Sequence, residues 1–119
     1  REKTFYLSKD IAIYGGFAGT ETTLNERDFI NNPTILSGDI GVLGDSNDNV
    51  YHVVSSFNDT NTTSLDGFTI ENGVGGTTFS GIQSEGQTVE VFAGGGIINK
   101  NTATIYENLI IQNNQSITK

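Results

Sequence analysis

The chain has 119 residues and a net charge of -8, from fourteen acidic and six basic residues, and it contains no Cys, Met or Trp. A phosphate-binding surface needs clustered Lys and Arg, so this charge disfavours nucleic acid as a partner. The lack of Cys excludes a disulfide, a thiol nucleophile and a thiolate metal site within this chain. No apolar run reaches the roughly 18 residues of a membrane-spanning helix, so no transmembrane segment is expected.

The apolar runs of the chain predict short β-strands. They are rich in Ile, Val, Phe and Thr and are broken by Gly, Asn and Asp, which is typical of strands joined by tight turns. Helical spacing never persists for more than about two turns, so residues 22–30 form at most one short helical turn. The predicted strands are, in chain order, residues 4–7, 11–17, 36–40, 51–54, 65–73, 95–99 and 106–114.

The sequence contains an internal repeat. The segment from Leu65 to Gly73 is echoed by the segment from Tyr106 to Asn114, with apolar residues aligned with apolar residues and Asn or Gly with Asn or Gly. A more degenerate copy begins at Leu36 and aligns with Leu65. Such self-similarity indicates one supersecondary unit stacked on copies of itself. Pairing each copy with the strand before it predicts coils at roughly 11–40, 51–73 and 94–114, with an insertion at 74–93.

These features predict an all-β fold, a β-solenoid of about three to four coils in a single domain over residues 1–119. A β-sandwich would need hairpin signals, and no Asn-Gly or Asp-Gly pair lies between two clean alternating strands outside the repeat. No polar cap is evident after the last repeat, although a solenoid needs one to cover its strand edges. The chain is therefore expected to be a segment of a longer solenoid.

Stacked copies place equivalent side chains above one another. Asn72 and Asn113 are predicted to form an amide ladder at one corner, since Asn ladders stabilise stacked strands. The predicted core pairs are Phe68 with Leu109 and Ile70 with Ile111.

Several stretches carry a resemblance to a known family. They are residues 13–22, 27–28, 32–40, 51–54, 65–70, 94–97 and 111–114. In this order they resemble right-handed parallel β-helix repeat proteins of bacterial cell surfaces, many of which are exported by type IX secretion. The last two stretches are similar to the repeats of polymorphic outer-membrane adhesins. The resemblance implies a right-handed parallel β-helix and an extracellular or cell-surface location, whereas the same fold hosts adhesins, stalks and polysaccharide lyases.

The loop at residues 41–49 is the best candidate for ligand chemistry. Asp45, Asn47 and Asn49 have the spacing that begins an oxygen-rich calcium loop, and Asp39 could approach from the preceding strand. Against a calcium site, Val50 stands where such loops have Gly, and no Glu follows at the last ligand position. A structural Ca²⁺ and an ordinary solvated loop rich in Asp and Asn both remain open.

Other polar residues have structural interpretations. Arg27 is expected to anchor its loop by bonding backbone carbonyls or a carboxylate. His52, the single histidine, is expected to be a hydrogen-bonded structural imidazole, because transition-metal sites need several ligands. The insertion at 74–93 either binds a partner or folds Phe79 and Phe92 back as lids over the coil.

Two classes of function follow, and no catalytic residue is assigned. The favoured class is a non-enzymatic structural or adhesive module of a larger secreted or cell-surface bacterial protein. The alternative is a carbohydrate-binding or polysaccharide-degrading, lyase-like module. Expected partners are a glycan or a protein surface ligand, together with other modules of the same chain or a secretion or cell-surface complex.

Overall fold

The computed structural model describes residues 1–60, 62–77, 81–84 and 86–116. Its architecture is all-β, and in chain order its strands have the following bounds. They are β1 (Phe5–Leu7), β2 (Ala12–Tyr14), β3 (Thr34–Ser37), β4 (Val54–Phe57), β5 (Ser64–Asp66), β6 (Phe68–Glu71), β7 (Gly81–Ser84), β8 (Gln87–Glu90), β9 (Ile97–Lys100), β10 (Ile105–Glu107) and β11 (Ile110–Gln112).

The chain passes through three parallel sheets in the same order three times. Sheet I contains β1, β4 and β9, sheet II contains β2, β5 and β10, and sheet III contains β3, β6 and β11. Each passage is termed a coil: β1 to β3 form the first coil, β4 to β6 the second, and β9 to β11 the third. All neighbouring strands within these sheets are parallel. The all-β prediction is confirmed, and three parallel three-stranded sheets are compatible with a β-helix.

The two copies of the sequence repeat pair as their alignment predicts. In sheet II, Leu65 is the partner of Tyr106, and in sheet III, Ile70 is the partner of Ile111. Because side chains alternate along a strand, this register keeps equivalent residues on the same face of the sheet. The repeat is therefore a pair of adjacent coils that hydrogen-bond along two walls.

The alignment of the first coil was wrong in two respects. Phe5, not the run at 11–17, pairs with Val54 in sheet I, and Ile13 pairs with Leu65 in sheet II. Each coil has three strands instead of two, so the N-terminal run is a full wall strand. The second error concerns Leu36, which pairs with Ile70 and not with Leu65. An apolar-x-Gly sequence ends β3 in sheet III and also β5 in sheet II, so the two strands look alike in sequence.

The core lies between the three sheets. One cluster joins Leu7 and Val54 of sheet I, Leu65 of sheet II and Ile70 of sheet III, all of which are almost fully buried. Burial of such side chains is the dominant favourable contribution to folding. The second coil contributes most of these residues because both of its neighbours cover it.

The four residues expected in the core differ in burial according to their coil. Phe68 and Ile70 of the second coil are buried, and Leu109 is partly buried against the same cluster. Ile111 is 57% exposed although it lies in register with Ile70. The physical reason is position: β11 is the edge strand of sheet III, so within the described chain nothing stacks on its outer side.

The insertion between the second and third coils contains an antiparallel hairpin. Strands β7 and β8 pair from Gly81 with Glu90 to Ser84 with Gln87, and Val89 is buried. The sequence did not predict this hairpin. Phe79 lies outside the described residues, so its expected role as a lid is untested.

The expected single helical turn is confirmed as a 3-10 turn at Leu24–Glu26. The Glu26 carboxylate accepts hydrogen bonds from the backbone N–H groups of Thr22 and Thr23, at 2.6 and 3.1 Å. Carboxylates that satisfy the free N–H groups at a helix start stabilise it. Over the ranges that the structure describes, no helix has the length and apolar character needed to cross a membrane.

Candidate functional site

A polar pocket lies where the loop after β3 meets the corners that follow β6 and β11. Its cavity volume is about 260 Å³. Among the described residues, the wall is formed mainly by amide side chains, together with one serine, one carboxylate and one valine. The lining residues that matter for its chemistry are Asp39, Ser46, Asn49, Asn72, Val74 and Asn113.

Backbone conformation brings asparagines to two of these corners. Asn72 has a φ of 61° and Asn113 a φ of 53°, which is the left-handed region that Asn tolerates better than other non-glycine residues. The equivalent corner of the first coil has Gly38, where a Cβ would lie 2.6 Å from the carbonyl oxygen of Asn72. A side chain therefore cannot fit in the first coil, and the polar corner is built from the second and third coils.

The predicted amide ladder does not form between Asn72 and Asn113. The Nδ2 group of Asn72 donates instead to the Ser37 hydroxyl at 3.3 Å, and Asn113 makes no side-chain hydrogen bond to any residue that the structure describes. The two residues share a corner, as the repeat predicts, but their amides point to different partners.

The amide that links the coils belongs to Asn114, which sequence reasoning missed. Its Oδ1 atom accepts a hydrogen bond from the backbone N–H of Gly73 at 2.9 Å, and its Nδ2 group donates to the carbonyl oxygen of Ile70 at 2.9 Å. The signal was present in the repeat, where Asn114 stands at the position that Gly73 occupies one coil earlier. Because glycine has no side chain, the second coil cannot form this contact from Gly73, whereas the third coil forms it through Asn114.

Asn49 is the most buried polar side chain of the pocket, at 5% exposure. Its Nδ2 group donates to the carbonyl oxygen of Asn72 at 2.7 Å, and its Oδ1 atom is buried with no partner among the described residues. Buried polar atoms are hydrogen-bonded in the great majority of proteins, and each exception needs an explanation. The Oδ1 atom is therefore an enclosed acceptor beside the pocket that no described donor satisfies.

The candidate calcium residues are used in different ways. The Oδ1 atom of Asp45 accepts from the Asn47 backbone N–H at 3.0 Å and from the Asn47 side chain at 2.7 Å, and these bonds lower the pKa of Asp45. Asn49 is instead held by Asn72 in the pocket wall. Asp39 accepts from the Gly44 backbone N–H at 3.0 Å. Across the described ranges, no cluster of three or more Asp, Glu, His or Cys is arranged to hold a metal ion.

Arg27 is the loop anchor that the sequence predicts. Its Nη2 atom forms a salt bridge with the Oδ2 atom of Asp66 at 2.6 Å, and both side chains are nearly buried. Its Nη1 atom donates to the carbonyl oxygen of Gly15 at 3.2 Å. The second carboxylate oxygen of Asp66 accepts from Asn108 at 2.8 Å. Both carboxylate oxygens of Asp66 are thus used in structural contacts.

His52 is buried, and its Nδ1 atom lies 3.1 Å from the carbonyl oxygen of Gly94. A neutral imidazole with its proton on Nδ1 donates to that carbonyl. Burial lowers the pKa of His52, and the Gly94 carbonyl and the nearby Glu90 oppose this effect. The geometry fits the predicted structural imidazole that joins the corner before β4 to the corner before β9.

Exposed acids of the long loops stabilise the loops themselves. Glu21 accepts from the backbone N–H groups of Ala18, Gly19 and Thr20, and Asp28 accepts from Asn31. These hydrogen bonds lower the pKa of both carboxyls. Acids held in this way favour a structural role over a catalytic one, because hydrogen bonds to the charged form make the carboxylate a weaker base.

No protein-family model, curated protein or solved structure matches the chain. The likeness to β-helix proteins of bacterial surfaces therefore stays a prediction that rests on the residues of this chain.

Proposed function

We propose that the chain is a segment of a right-handed parallel β-helix that serves as a non-enzymatic structural or adhesive module of a larger extracellular bacterial protein. The observation that carries this proposal is the stacking of three coils in register along all three sheets. About 98% of the crossover connections between parallel strands of one sheet are right-handed, which supports the handedness. In such stacks each coil contacts only its neighbours, so the structure extends as a stiff rod.

The last coil offers an edge suited to further stacking. Ile105, Ile110 and Ile111 are between 43% and 57% exposed along the edge strands β10 and β11. Unpaired parallel edges with apolar side chains are covered in stable proteins by another strand, a loop or a cap. Additional coils of the same protein are the proposed cover.

A second candidate function is recognition of a saccharide. One observation favours it: the polar pocket presents several amides, a hydroxyl and a carboxylate in one concave site. Sugar degradation is less well supported, because Asp66 is neutralised by Arg27 and the loop acids are bound to backbone N–H groups.

Two measurements test the proposed function. An antibody raised against this chain is expected to label intact cells of the source bacterium. Labelling only after permeabilisation would contradict the extracellular location. The purified chain is expected to release no reducing ends and no unsaturated uronides from neutral or acidic polysaccharides. Release that disappears in the Asp39→Asn variant would establish an enzyme in place of a structural module.

A further inference from the structure

We propose that the polar pocket binds a neutral, hydroxyl-rich ligand, namely one sugar ring of a glycan. The proposal deepens the adhesive part of the proposed function and rests on it. The pocket is assembled from three coils, since Asp39 and Asn49 follow the first coil, Asn72 closes the second and Asn113 closes the third. It therefore exists only when the coils are stacked.

The unused hydrogen-bonding groups of the pocket match hydroxyls. A hydroxyl both donates and accepts, and so does an amide through its NH₂ and C=O groups. The buried Oδ1 atom of Asn49 is an acceptor without a donor. The side chains of Asn113 and Ser46 form no hydrogen bond with the described residues, so they offer both donors and acceptors. A ligand with several hydroxyls can pair with the exposed side chains of Asn113 and Ser46 at once.

The charge of the pocket selects against the other ligand classes. Asp39 is the single charged side chain of its described wall, and the negative charge disfavours phosphates and sugar acids. A hard divalent cation takes about six to eight oxygen ligands, of which several are usually carboxylates. One carboxylate that already accepts from the Gly44 backbone N–H is a poor centre for such a cation but a good acceptor for a hydroxyl.

The volume of the pocket fits a single ring. Its volume of about 260 Å³ lies just below the roughly 300 to 1,000 Å³ of pockets that enclose drug-sized molecules. Val74 is buried and contributes an apolar portion of the wall, against which the C–H groups of a sugar ring can pack. One ring in the pocket leaves the remainder of a glycan in solvent.

The test is a titration of the ¹⁵N-labelled chain followed by the side-chain amide signals in NMR spectra. The probes are glucose, galactose, mannose and N-acetylglucosamine, each also as its methyl glycoside, with glucuronate and CaCl₂ as separate arms. At least one neutral sugar is expected to shift the amide signals of Asn49, Asn72 and Asn113 saturably. Equal binding of the methyl glycoside identifies a ring within a glycan, whereas binding of the free sugar alone identifies a monosaccharide.

Matched variants make the test specific to the pocket. Asn113→Gly removes the amide and keeps a residue that accepts the left-handed backbone, and it is expected to weaken binding about tenfold, as the loss of one good hydrogen bond does. Asn101→Gly is the control, because Asn101 has a similar φ of 52° and does not line the pocket. Unchanged backbone amide spectra show that both variants are folded.

Four results overturn the proposal. The first is no shift with any neutral sugar, and the second is binding of a free sugar without binding of its methyl glycoside. The third is equal weakening by Asn101→Gly, and the fourth is shifts with CaCl₂ alone, which would make the pocket a cation site. Failure of the proposed function is separate, since it shows as labelling of cells only after permeabilisation or as polysaccharide cleavage.

Discussion

Asn114 and Gly73 form a hydrogen bond that joins the third coil to the second, with the side-chain Oδ1 atom of Asn114 accepting from the backbone N–H of Gly73 at 2.9 Å. The two residues occupy equivalent positions in the sequence repeat. Gly73 is buried, so its N–H group has no access to bulk water. One amide thus satisfies a buried donor one coil away and, through Nδ2, the carbonyl oxygen of Ile70.

Replacing Asn114 with Ala is expected to lower the free energy of unfolding by about 1 to 3 kcal/mol, because the buried N–H of Gly73 loses its acceptor. The measurement is equilibrium unfolding in urea followed by circular dichroism. Gln115→Ala is the matched control, since Gln115 is exposed and its side chain forms no hydrogen bond with the described residues. We expect the control to change stability by less than about 0.5 kcal/mol. Equal effects of the two variants would contradict a specific role for the Asn114 amide.

The salt bridge between Arg27 and Asp66 predicts a large effect of removing the cation. Arg27→Met keeps the length of the side chain and leaves the nearly buried Asp66 carboxylate without its partner, which is expected to cost about 3 to 5 kcal/mol. Urea unfolding measures the loss. The double variant Arg27→Met with Asp66→Asn is expected to be more stable than Arg27→Met alone, because the uncompensated charge is gone.

The control for Arg27 is Lys3→Met, a loss of one exposed positive charge. It is expected to leave stability within about 0.5 kcal/mol. A comparable loss from Lys3→Met would show that net charge, and not the Arg27 contact, determines the result.

The sequence was a good guide where a coil repeats and a poor one where coils differ. The pairing of Ile70 with Ile111 follows from two copies of one pattern, and β-strands fix which face each residue takes once the register is known. The pairing of Ile13 with Leu65 could not be found this way, because the long loop between β2 and β3 makes the first coil unlike the others. Its N-terminal strand β1 has the same short apolar pattern as any other strand.

The candidate site illustrates a second limit of sequence reasoning. The residues at 45–49 suggested a cation loop by their spacing alone, but spacing does not show which side chains a loop uses to hold itself together. Asp45 accepts a hydrogen bond from the Asn47 backbone N–H, whereas Asn49 donates to the carbonyl oxygen of Asn72. Asn49 and Asn72 come close together only because the coils stack. Contacts between coils depend on tertiary structure, so the sequence pointed to the loop at 41–49 but not to the pocket that it forms with Asn72 and Asn113.

Close packing of the coils predicts that Gly73 tolerates no side chain. A Cβ at this position would overlap the carbonyl oxygen of Gly95 in the next coil. Gly73→Ala is therefore expected to destabilise the chain by about 1 to 3 kcal/mol through overpacking, measured by thermal unfolding. Gly86→Asn is the control, because no described residue other than its chain neighbours lies within contact distance of a Cβ there, and Asn accepts its positive φ. A stable Gly73→Ala variant would show that the corners are looser than the structure describes.

His52 predicts a loss of stability in mild acid. Burial lowers its pKa from the ordinary value of 6.5, so the unfolded chain takes up a proton at a pH where the folded chain does not. By linkage, the contribution of His52 is fully present above about pH 6.5 and declines as the pH falls below that value toward the lower pKa of the folded state. The loop carboxyls of Glu21, Glu26 and Asp28 have lowered pKa values, so their contributions are lost only in stronger acid.

The measurement for His52 is urea unfolding at pH 7.5, 6.5 and 5.5, with His52→Gln as the variant that cannot titrate. The native chain is expected to lose stability over this range, while His52→Gln starts lower and changes less, because its amide keeps a donor near the Gly94 carbonyl without taking up a proton. His52 is the single histidine of the chain, so the difference between the two slopes isolates its titration. Parallel slopes would mean that titration of His52 does not cause the acid sensitivity.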